Sequence, residues 1–516
     1  MDVASPATNR LGRGSTLAAA FLAVAGGTFT QASFEFMMVP LQSELGLSVD
    51  QITGLSLIPA AASLTAVFIV GSLGDRVGPR RMLMVASIIY AVGALLVMAA
   101  PGWAAVVLGR AVGGIGGVAL AVTGLAMLNE VAGDEQARGR LFGYFAAVAP
   151  ATFLVGSVLA SVMSAYSSWR LVPVVWLGIA LVIFVVARRV PTPESASDAR
   201  GELWTPLLAG VALAGIGLAA ALIAGSATSA VLALSVTVLC GLLLIVLLRS
   251  LRRPSLDLRV LRAPGALLLC GAILLATVTN LFFFVNLFLQ YRFPSAVVSL
   301  SLLLGVPQVL AVLGGIAGGR LSARSGALVA AAIALGAAAV LALGFLAVGA
   351  ESAMWVPVVI LAIFAVPAAG MVGPLTQSLM ARAPVDGSSA ASSVKSATWS
   401  LGGIIGGVTI GALGFSAFTR SLAARLQESG LDLPAAELVA EQVRSGAFVS
   451  ELAQQLMSTH PPSADLLAGP ATGLHLAQVD ALHTVAVAGC VTFGLAALLV
   501  LLARRRIVAH ERVMTS

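Results

Sequence analysis

Charged side chains are scarce in this sequence. Asp, Glu, Lys and Arg make up 10% of its 516 residues, against roughly a quarter in soluble domains. With 59% hydrophobic residues and a mean hydropathy of +1.02, that scarcity excludes a water-soluble globule, which needs a charged surface. Lysine is rarer still, since Lys395 is the only one. Arginine therefore carries the formal charge of +7 and the pI near 10.1. Nearly all the arginines stand in short loops between apolar runs, where they set membrane topology, so no nucleic-acid partner is expected. Cys240, Cys270 and Cys490 each lie inside an apolar run, far apart in sequence, which leaves neither a disulfide framework nor a metal set. His460, His475, His483 and His510 are scattered. There is no H-E-x-x-H, no G-x-S-x-G on a helix, no P-loop and no cluster of acids at a membrane face. No enzymatic activity, metal or cofactor is expected, and neither is an ATP-driven pump.

Apolar sequence is what the chain has in quantity. Fourteen runs reach the length needed to span a bilayer: 17–42, 52–73, 82–100, 103–129, 141–165, 171–188, 204–224, 228–248, 264–290, 296–318, 327–349, 354–380, 391–416 and 481–503. An even number returns both termini to one side. The arginines test this independently: the two tails and the loops on their side hold about 23 of the 29 Lys and Arg, the opposite side about five, and Arg110 lies inside a run. Both termini are therefore expected in the cytoplasm, on a multi-pass protein of a bacterial cell membrane. The first apolar run is too long for a signal peptide and lacks a persuasive cleavage site, so it is read as a retained helix.

Arginine-rich joins at 188–202 and 249–264 set off the runs 204–224 and 228–248 as a pair between two groups of six. The predicted division is a tail at 1–16, a six-helix unit at 17–188, a linker holding the extra pair at 189–263, a second six-helix unit at 264–503, and a tail at 504–516. Segment 417–480 is the one large exterior insertion. Apolar residues at helical spacing, such as Leu438, Val443, Phe448 and Leu452, predict a helical hairpin over the outer mouth; a disordered linker is the alternative.

The second and third runs are joined by Gly71–Arg81, GSLGDRVGPRR. Its charges must sit at a membrane face, because a charge at the bilayer centre costs at least about 2.5 kcal/mol. Gly319–Gly326, GRLSARSG, sits after the tenth run as a faded parallel copy with no acid to match Asp75. The joint after the fourth run, Asn129–Arg140, lies on the same side as the Gly71 segment. A pair between Asp75 and an arginine such as Arg140 is expected there as a weak gate, closed in one state and open in the other.

The Gly71 segment resembles the loop between helices 2 and 3 of the major facilitator superfamily, G-x-L-x-D-R-x-G-R-[RK], through Gly71, Leu73, Asp75, Arg76, Gly78 and Arg80, with Pro79 in place of a basic residue. LGRAVGGIGG resembles the family's R-x-x-x-G-x-G through Arg110, Gly114 and Gly116, and the resemblance implies a part for Arg110 in proton coupling. A packing role through backbone carbonyls is the other reading; neither lets Arg110 face lipid. The exporter motif G-P-x-x-G-G, placed by the pair Trp169-Arg170, falls on Gly156–Ser161 without its proline. The small residues Gly156 and Ala160 preserve close packing, and Pro150 offers a bend two turns earlier.

Glu35, in FTQASFEFMMVP, is the one acid well inside a run. A carboxylate there can take up a proton on one side and release it on the other, and can attract a cationic substrate in competition with that proton. Fourteen-helix relatives usually carry the acid at the position of Gln31, one turn earlier on a similar face. A solvated Glu35 near the exterior end is the alternative. Around a central cavity we place Gln31, Phe36, Met38, Asn280, Phe284, Gln290, Gln308 and Trp399 as substrate contacts. Aromatic and methionine walls suit adaptable apolar binding. Lys395 is expected to snorkel to the cytoplasm.

Together with FFFVNLFLQYRFPSAVVSLSLLLGVP at 282–307 and SLGGIIGG at 400–407, these features resemble the fourteen-helix drug:proton antiporters of the major facilitator superfamily. The resemblance implies an all-α integral membrane protein with two six-helix bundles plus two extra central helices. It also implies a monomer that exports amphipathic small molecules in exchange for protons. A dedicated exporter of an endogenous metabolite, peptide or lipid precursor would use the same architecture, and an integral-membrane enzyme is the remote alternative.

Overall fold

The computed structural model describes residues 6–47, 49–191, 202–222, 227–251, 255–279, 281–292, 302–384, 387–444 and 473–515. In hydrocarbon every backbone group must find its partner within the chain, so uninterrupted apolar sequence becomes helix. The first six long helices are α1 (Pro6–Leu45), α2 (Val49–Val77), α3 (Pro79–Met98), α4 (Trp103–Val131), α5 (Glu135–Tyr166) and α6 (Val172–Ala187). The pair α7 (Trp204–Leu222) and α8 (Ala227–Ser250) follows, then the short α9 (Arg259–Arg262). The remainder is α10 (Ala266–Val278), α11 (Leu281–Arg292), α12 (Gly305–Ser325), α13 (Ala327–Ala342), α14 (Trp355–Gly370), α15 (Val372–Met380), α16 (Ser388–Glu428), α17 (Leu433–Arg444) and α18 (Gly473–Thr515). Among the described residues thirteen stretches are long and apolar enough to cross a membrane, and α7 supplies a shorter one at Trp204–Ala220. These match the fourteen expected runs.

One expected single span is broken. The run 264–290 divides at Thr279, whose φ of −80° and ψ of 70° leave the helical region. Its hydroxyl bonds back to Leu275 O at 3.2 Å and also meets Thr492 of α18. Such back-bonding from a threonine loosens a helix without proline or glycine. The run 354–380 stays helical through Met371, whose N–H donates to Pro367 O and whose carbonyl accepts from Leu375 N, each at 3.0 Å.

α16 is a single helix of 41 residues, about 60 Å long against a hydrocarbon core of about 30 Å. The first arm of the expected hairpin is thus a continuation of the span. Gly430, at φ 107°, turns the chain so that α17 folds back on α16. The projecting end is tied to α18, where Asp480 accepts from Ser421 Oγ at 2.5 Å and from Arg425 at 2.9 Å. Residues 445–472, which hold the rest of that expected hairpin, lie outside the described residues.

Ser15 on α1 reaches Arg189 O after α6, and Gly265 before α10 rests on Ala503 of α18. Ala20 of α1 lies beside Gly124 of α4, and Glu135 and Arg138 of α5 line one cavity with Arg504 and Ile507 of α18, so these helix ends share one face, the tail face. Helices α1 to α6 pack among themselves, as do α10 to α18. The two groups meet along two main seams, α2 with α16 and α5 with α12. The extra pair attaches through α7 to α2 and α16. α8 turns Val231, Leu239 and Leu242 outward, as a lipid-facing helix should.

Candidate functional site

On the tail face α2 ends at Val77 and α3 starts at Pro79, with Gly78 between them at φ 86° and ψ 155°. Only glycine adopts that conformation without strain, and proline suits a first helical position. This turn fixes Asp75 at the end of α2, facing the start of α16. α16 begins after Gly387, which has no side chain to cap the free N–H groups. Asp75 caps them from the other half of the molecule: its carboxylate accepts from Ser389 N at 2.8 Å and Ala390 N at 3.0 Å. Hydrogen bonds to a charged group contribute about 1.5–3 kcal/mol each, and the positive end of the helix dipole adds to them.

The expected Asp75 to Arg140 pair is therefore not formed. Arg140 is exposed on α5, which starts at the other seam, and two orphan N–H groups at short range give a carboxylate better bonds than a solvated guanidinium. Arg76 and Arg80 are half-buried on the same turn. Two further ties hold α16 to α4: Asn129 Nδ2 donates to Ser388 Oγ at 3.3 Å, and Ser392 Oγ donates to Val122 O at 2.8 Å. At Gly71 an added Cβ would lie 2.1 Å from Ser393 Oγ, so the backbone of α2 sits directly on α16.

The opposite seam closes by glycine contact. A Cβ at Gly143 of α5 would come within 2.5 Å of Gly319 Cα, and one at Gly139 within 2.7 Å of Ala323 N. The tail face is thus closed on both seams.

Away from this gate, α1 carries Glu35 ten residues, or about 15 Å, before its end at Leu45. Gln31 Nε2 donates to Glu35 Oε1 at 3.1 Å, one turn apart on a single face. Both residues are accessible by surface area, yet Glu35 lies deep among protein atoms. Glu35 thus lies within the apolar span Gly14–Met38, near the end of that span that leads to Leu45. Arg110 of α4 is 8% exposed. Its guanidinium stands 3.8 Å from the centroid of the Phe34 ring and its Nε has no partner. Glu35 and Tyr90 are the titratable groups within its electrostatic reach. Tyr90 donates to Gly26 O at 3.0 Å and meets Thr30, tying α3 to α1. Glu35 is thus bonded to Gln31 and stands within electrostatic reach of Arg110.

The packing residues stand where close approach demands them. A Cβ at Gly114 would meet Ser63 Oγ of α2 at 2.6 Å, and one at Gly156 would meet Phe29 O of α1 at 3.2 Å. Ala160 is fully buried. The motif on α5 thus keeps its tight contact with α1 without its proline.

Of the expected substrate contacts, Phe36 is half-buried and meets Phe153 of α5 edge-on at 6.2 Å; Phe153 in turn meets Phe282 of α11 at 6.1 Å. Met38, Gln308 and Trp399 are half-buried. Phe284 is buried against Gly414 of α16. Gln290 lies on α11 with its side chain outside the description, and Asn280 lies outside the described residues.

Lys395 does not snorkel. It is 8% exposed, with its ammonium 4.6 Å from the Trp399 ring and 5.4 Å from the ring of Phe145 on α5. α16 enters the protein interior at Lys395, two turns past Ser388, which leaves the side chain no apolar path to the tail face. Burying an ammonium costs several kcal/mol, and an aromatic face returns about 2 when water is excluded.

At the far face a clamp was not legible. Trp169 Nε1 donates to Glu44 Oε2 at 2.6 Å, Arg170 pairs with Glu44, and Arg170 also donates to Ala100 O at 3.2 Å. The hydrogen bond from Arg170 holds the Glu44 carboxyl below its ordinary range. Trp169-Arg170 was a register mark in the sequence; its partner Glu44 lies 125 residues earlier, beyond the reach of local patterns. The small polar string Ser388-Ser389 opening a span was the available signal for the α16 cap.

Comparison with known proteins bears on this arrangement. The model of the Major Facilitator Superfamily matches residues 16–407. A multidrug transporter of the superfamily from Aspergillus fumigatus is 26% identical over 149 residues, 29% of this chain and 28% of that protein. The puromycin resistance protein of Streptomyces alboniger is 28% identical over 175 residues, 34% of each. The chain thus spans about a third or less of the curated relatives it matches. Among solved structures, the human organic anion transporter MFSD10 superposes with a TM-score of 0.56 at 15% identity, covering 95% of this chain and 99% of that one. The Escherichia coli fucose:proton symporter gives 0.53 at 12%, covering 95% and 98%. With that match over most of its length, and with its two halves meeting along the α2–α16 and α5–α12 seams, the chain belongs to the Major Facilitator Superfamily and is a multi-pass membrane transporter.

Proposed function

We propose that this transporter is a proton-coupled exporter of amphipathic small molecules of the fourteen-helix drug:proton antiporter type, acting as a monomer by alternating access with both tails in the cytoplasm. The observation that carries this reading is Glu35: a carboxylate within a span, hydrogen-bonded to Gln31 and in electrostatic reach of Arg110. Protons from outside load Glu35 while the tail face is closed. Neutralising it frees Arg110 from its acidic neighbour and lowers the cost of moving α1 and α4 past each other. Breaking the Asp75 cap opens the tail face, where Glu35 gives up its proton and substrate takes its place. Relatives named for multidrug transport and puromycin resistance support the substrate class. Each 100 mV of membrane potential supplies about 2.3 kcal/mol per charge moved, enough to concentrate a neutral molecule outward against one proton.

The test uses inside-out vesicles with an acidified lumen and a pH-sensitive dye. Adding a cationic or neutral amphipath to wild type is expected to release the proton gradient. Glu35→Gln is expected to lose that release while still binding the compound, and Asp75→Asn serves as a gate control. A Glu35→Gln response equal to wild type would remove Glu35 from coupling and turn attention to Arg110.

A further inference from the structure

Lys395 is a group that the proton-coupling scheme above does not use. Among the described residues no hydrogen bond or ion pair joins Lys395 to a partner; the carboxylates of Glu44, Asp257 and Asp480 pair with arginines instead. Its neighbours are two aromatic faces, which leave most of an ammonium's donor capacity unused. Position matters as much as chemistry. Lys395 belongs to α16, which joins the other half along the α2 seam, whereas Phe145 belongs to α5, which joins along the α12 seam. A contact from Lys395 to Phe145 therefore runs from one seam toward the other, across the space between the halves. It lies about 10 Å inside the Asp75 cap, seven residues along α16 from Ser388. Release of the cap would open the tail face two turns along α16 from this cation.

We propose that Lys395, held between Phe145 and Trp399 at the floor of the central pathway, is a loading site for the anionic group of the exported molecule. The ammonium would bind a carboxylate or a similar anion, and the two rings would hold the adjoining apolar or aromatic part. The substrate class then extends to amphipathic carboxylates and zwitterions, with Glu35 and Lys395 serving opposite charges in opposite halves. This inference rests on the export reading for its direction, but the site itself can be tested by binding alone.

The experiment uses purified full-length protein and three fluorescent probes: dansyl-undecanoic acid, its methyl ester and a matched dansyl-alkylamine. Wild type is expected to bind the acid more tightly than the ester. Lys395→Gln is expected to weaken the acid about tenfold while leaving the ester within about twofold, and Lys395→Arg to retain most of the preference, since a guanidinium also pairs with carboxylate. Equal loss for acid and ester would make Lys395 a gate element and overturn the proposal, as would wild-type affinity no greater for acid than for ester. Because Lys395 is the only lysine, acylation of its amine followed by mass spectrometry gives a second readout on unmutated protein: the acid, and not the ester, is expected to slow it. Proton release measured in vesicles separates the two readings. Acid selectivity without any probe-driven proton movement would sink the coupling scheme and leave the anion site standing; proton release by the amine without acid selectivity would do the reverse.

Discussion

The two seams that close the tail face are built from related sequence and work by different physics. Gly71–Gly78 and Gly319–Gly326 have the same spacing, and their last glycines adopt nearly the same conformation, φ 86° and ψ 155° at Gly78 against φ 83° and ψ 152° at Gly326. Each turn ends a helix that packs on the start of a long helix from the other half: α2 on α16, and α12 on α5. In the first seam α16 lacks its own cap and borrows Asp75. In the second, α5 caps itself, with Asp134 accepting from Ala137 N at 2.7 Å, and the place corresponding to Asp75 is Ala323, pressed against Gly139. One seam is held by charge and can be released by displacing a carboxylate. The other is held by close backbone contact, which is short-ranged and lost as a whole when the helices part.

Substitutions can break this contrast, beginning with the glycine seam. Gly319→Val forces methyl groups into a space where even a Cβ would lie 2.4 Å from Gly143 Cα. Overpacking of this kind costs about 1–3 kcal/mol, and here it bears on the closed state alone. Export is expected to fall to background, with cysteines placed on the tail face labelled constitutively; normal labelling would show that the seam yields.

Asp75→Ala comes next, losing two charge-assisted bonds of about 1.5–3 kcal/mol each, less whatever water restores. Tail-face labelling should rise and export fall. Adding Gly387→Asp gives α16 a cap of its own, worth about 0.5–2 kcal/mol, and should recover thermal stability without restoring closure, because the new cap does not cross the seam. Recovery of closure would mean that helix capping, not the bridge, is what Asp75 provides.

Asp134→Ala removes the local cap of α5 and should lower stability by about 1 kcal/mol with tail-face labelling unchanged. A rise in labelling would show that the second seam also depends on a cap.

The smallest effect belongs to the far face. Glu44 is exposed, and its carboxyl is held below the ordinary 4.5 by Arg170. A lowered pKa stabilises the fold above the ordinary value and loses that contribution as pH falls through the lowered one. Thermal stability should therefore drop slightly more in wild type than in Glu44→Gln between about pH 6 and pH 3, with tail-face closure unaffected in both. Identical profiles would show that the clamp carries no measurable stability.

Much of the fold was legible because lipid makes a severe solvent: Ile52–Val70 and Met82–Ala100 have one stable conformation there, and Asp75, Arg76, Arg80 and Arg81 one stable level. Glu35 stood out because a carboxylate among apolar residues is expensive and rare. The break at Thr279 was not legible, since its cause is a hydroxyl bonding back into its own helix and a partner on α18. Nor was the partner of Asp75. Opposite charge pointed to Arg140, but a helix start has no charge in the sequence to announce it, and its N–H groups belong to residues 314 and 315 positions away.

The sequence by itself determined the class of the protein, the number of its spans, the repeat of its two turns and the rare ionisable groups within it. Those follow from the cost of placing each residue in hydrocarbon, which is local. Which groups face one another was decided only by tertiary structure: Asp75 by the uncapped start of α16, Lys395 by the ring of Phe145, and Glu44 by Trp169 and Arg170. Each of these contacts forms between helices far apart in the chain, and its energy depends on a distance that no local pattern encodes.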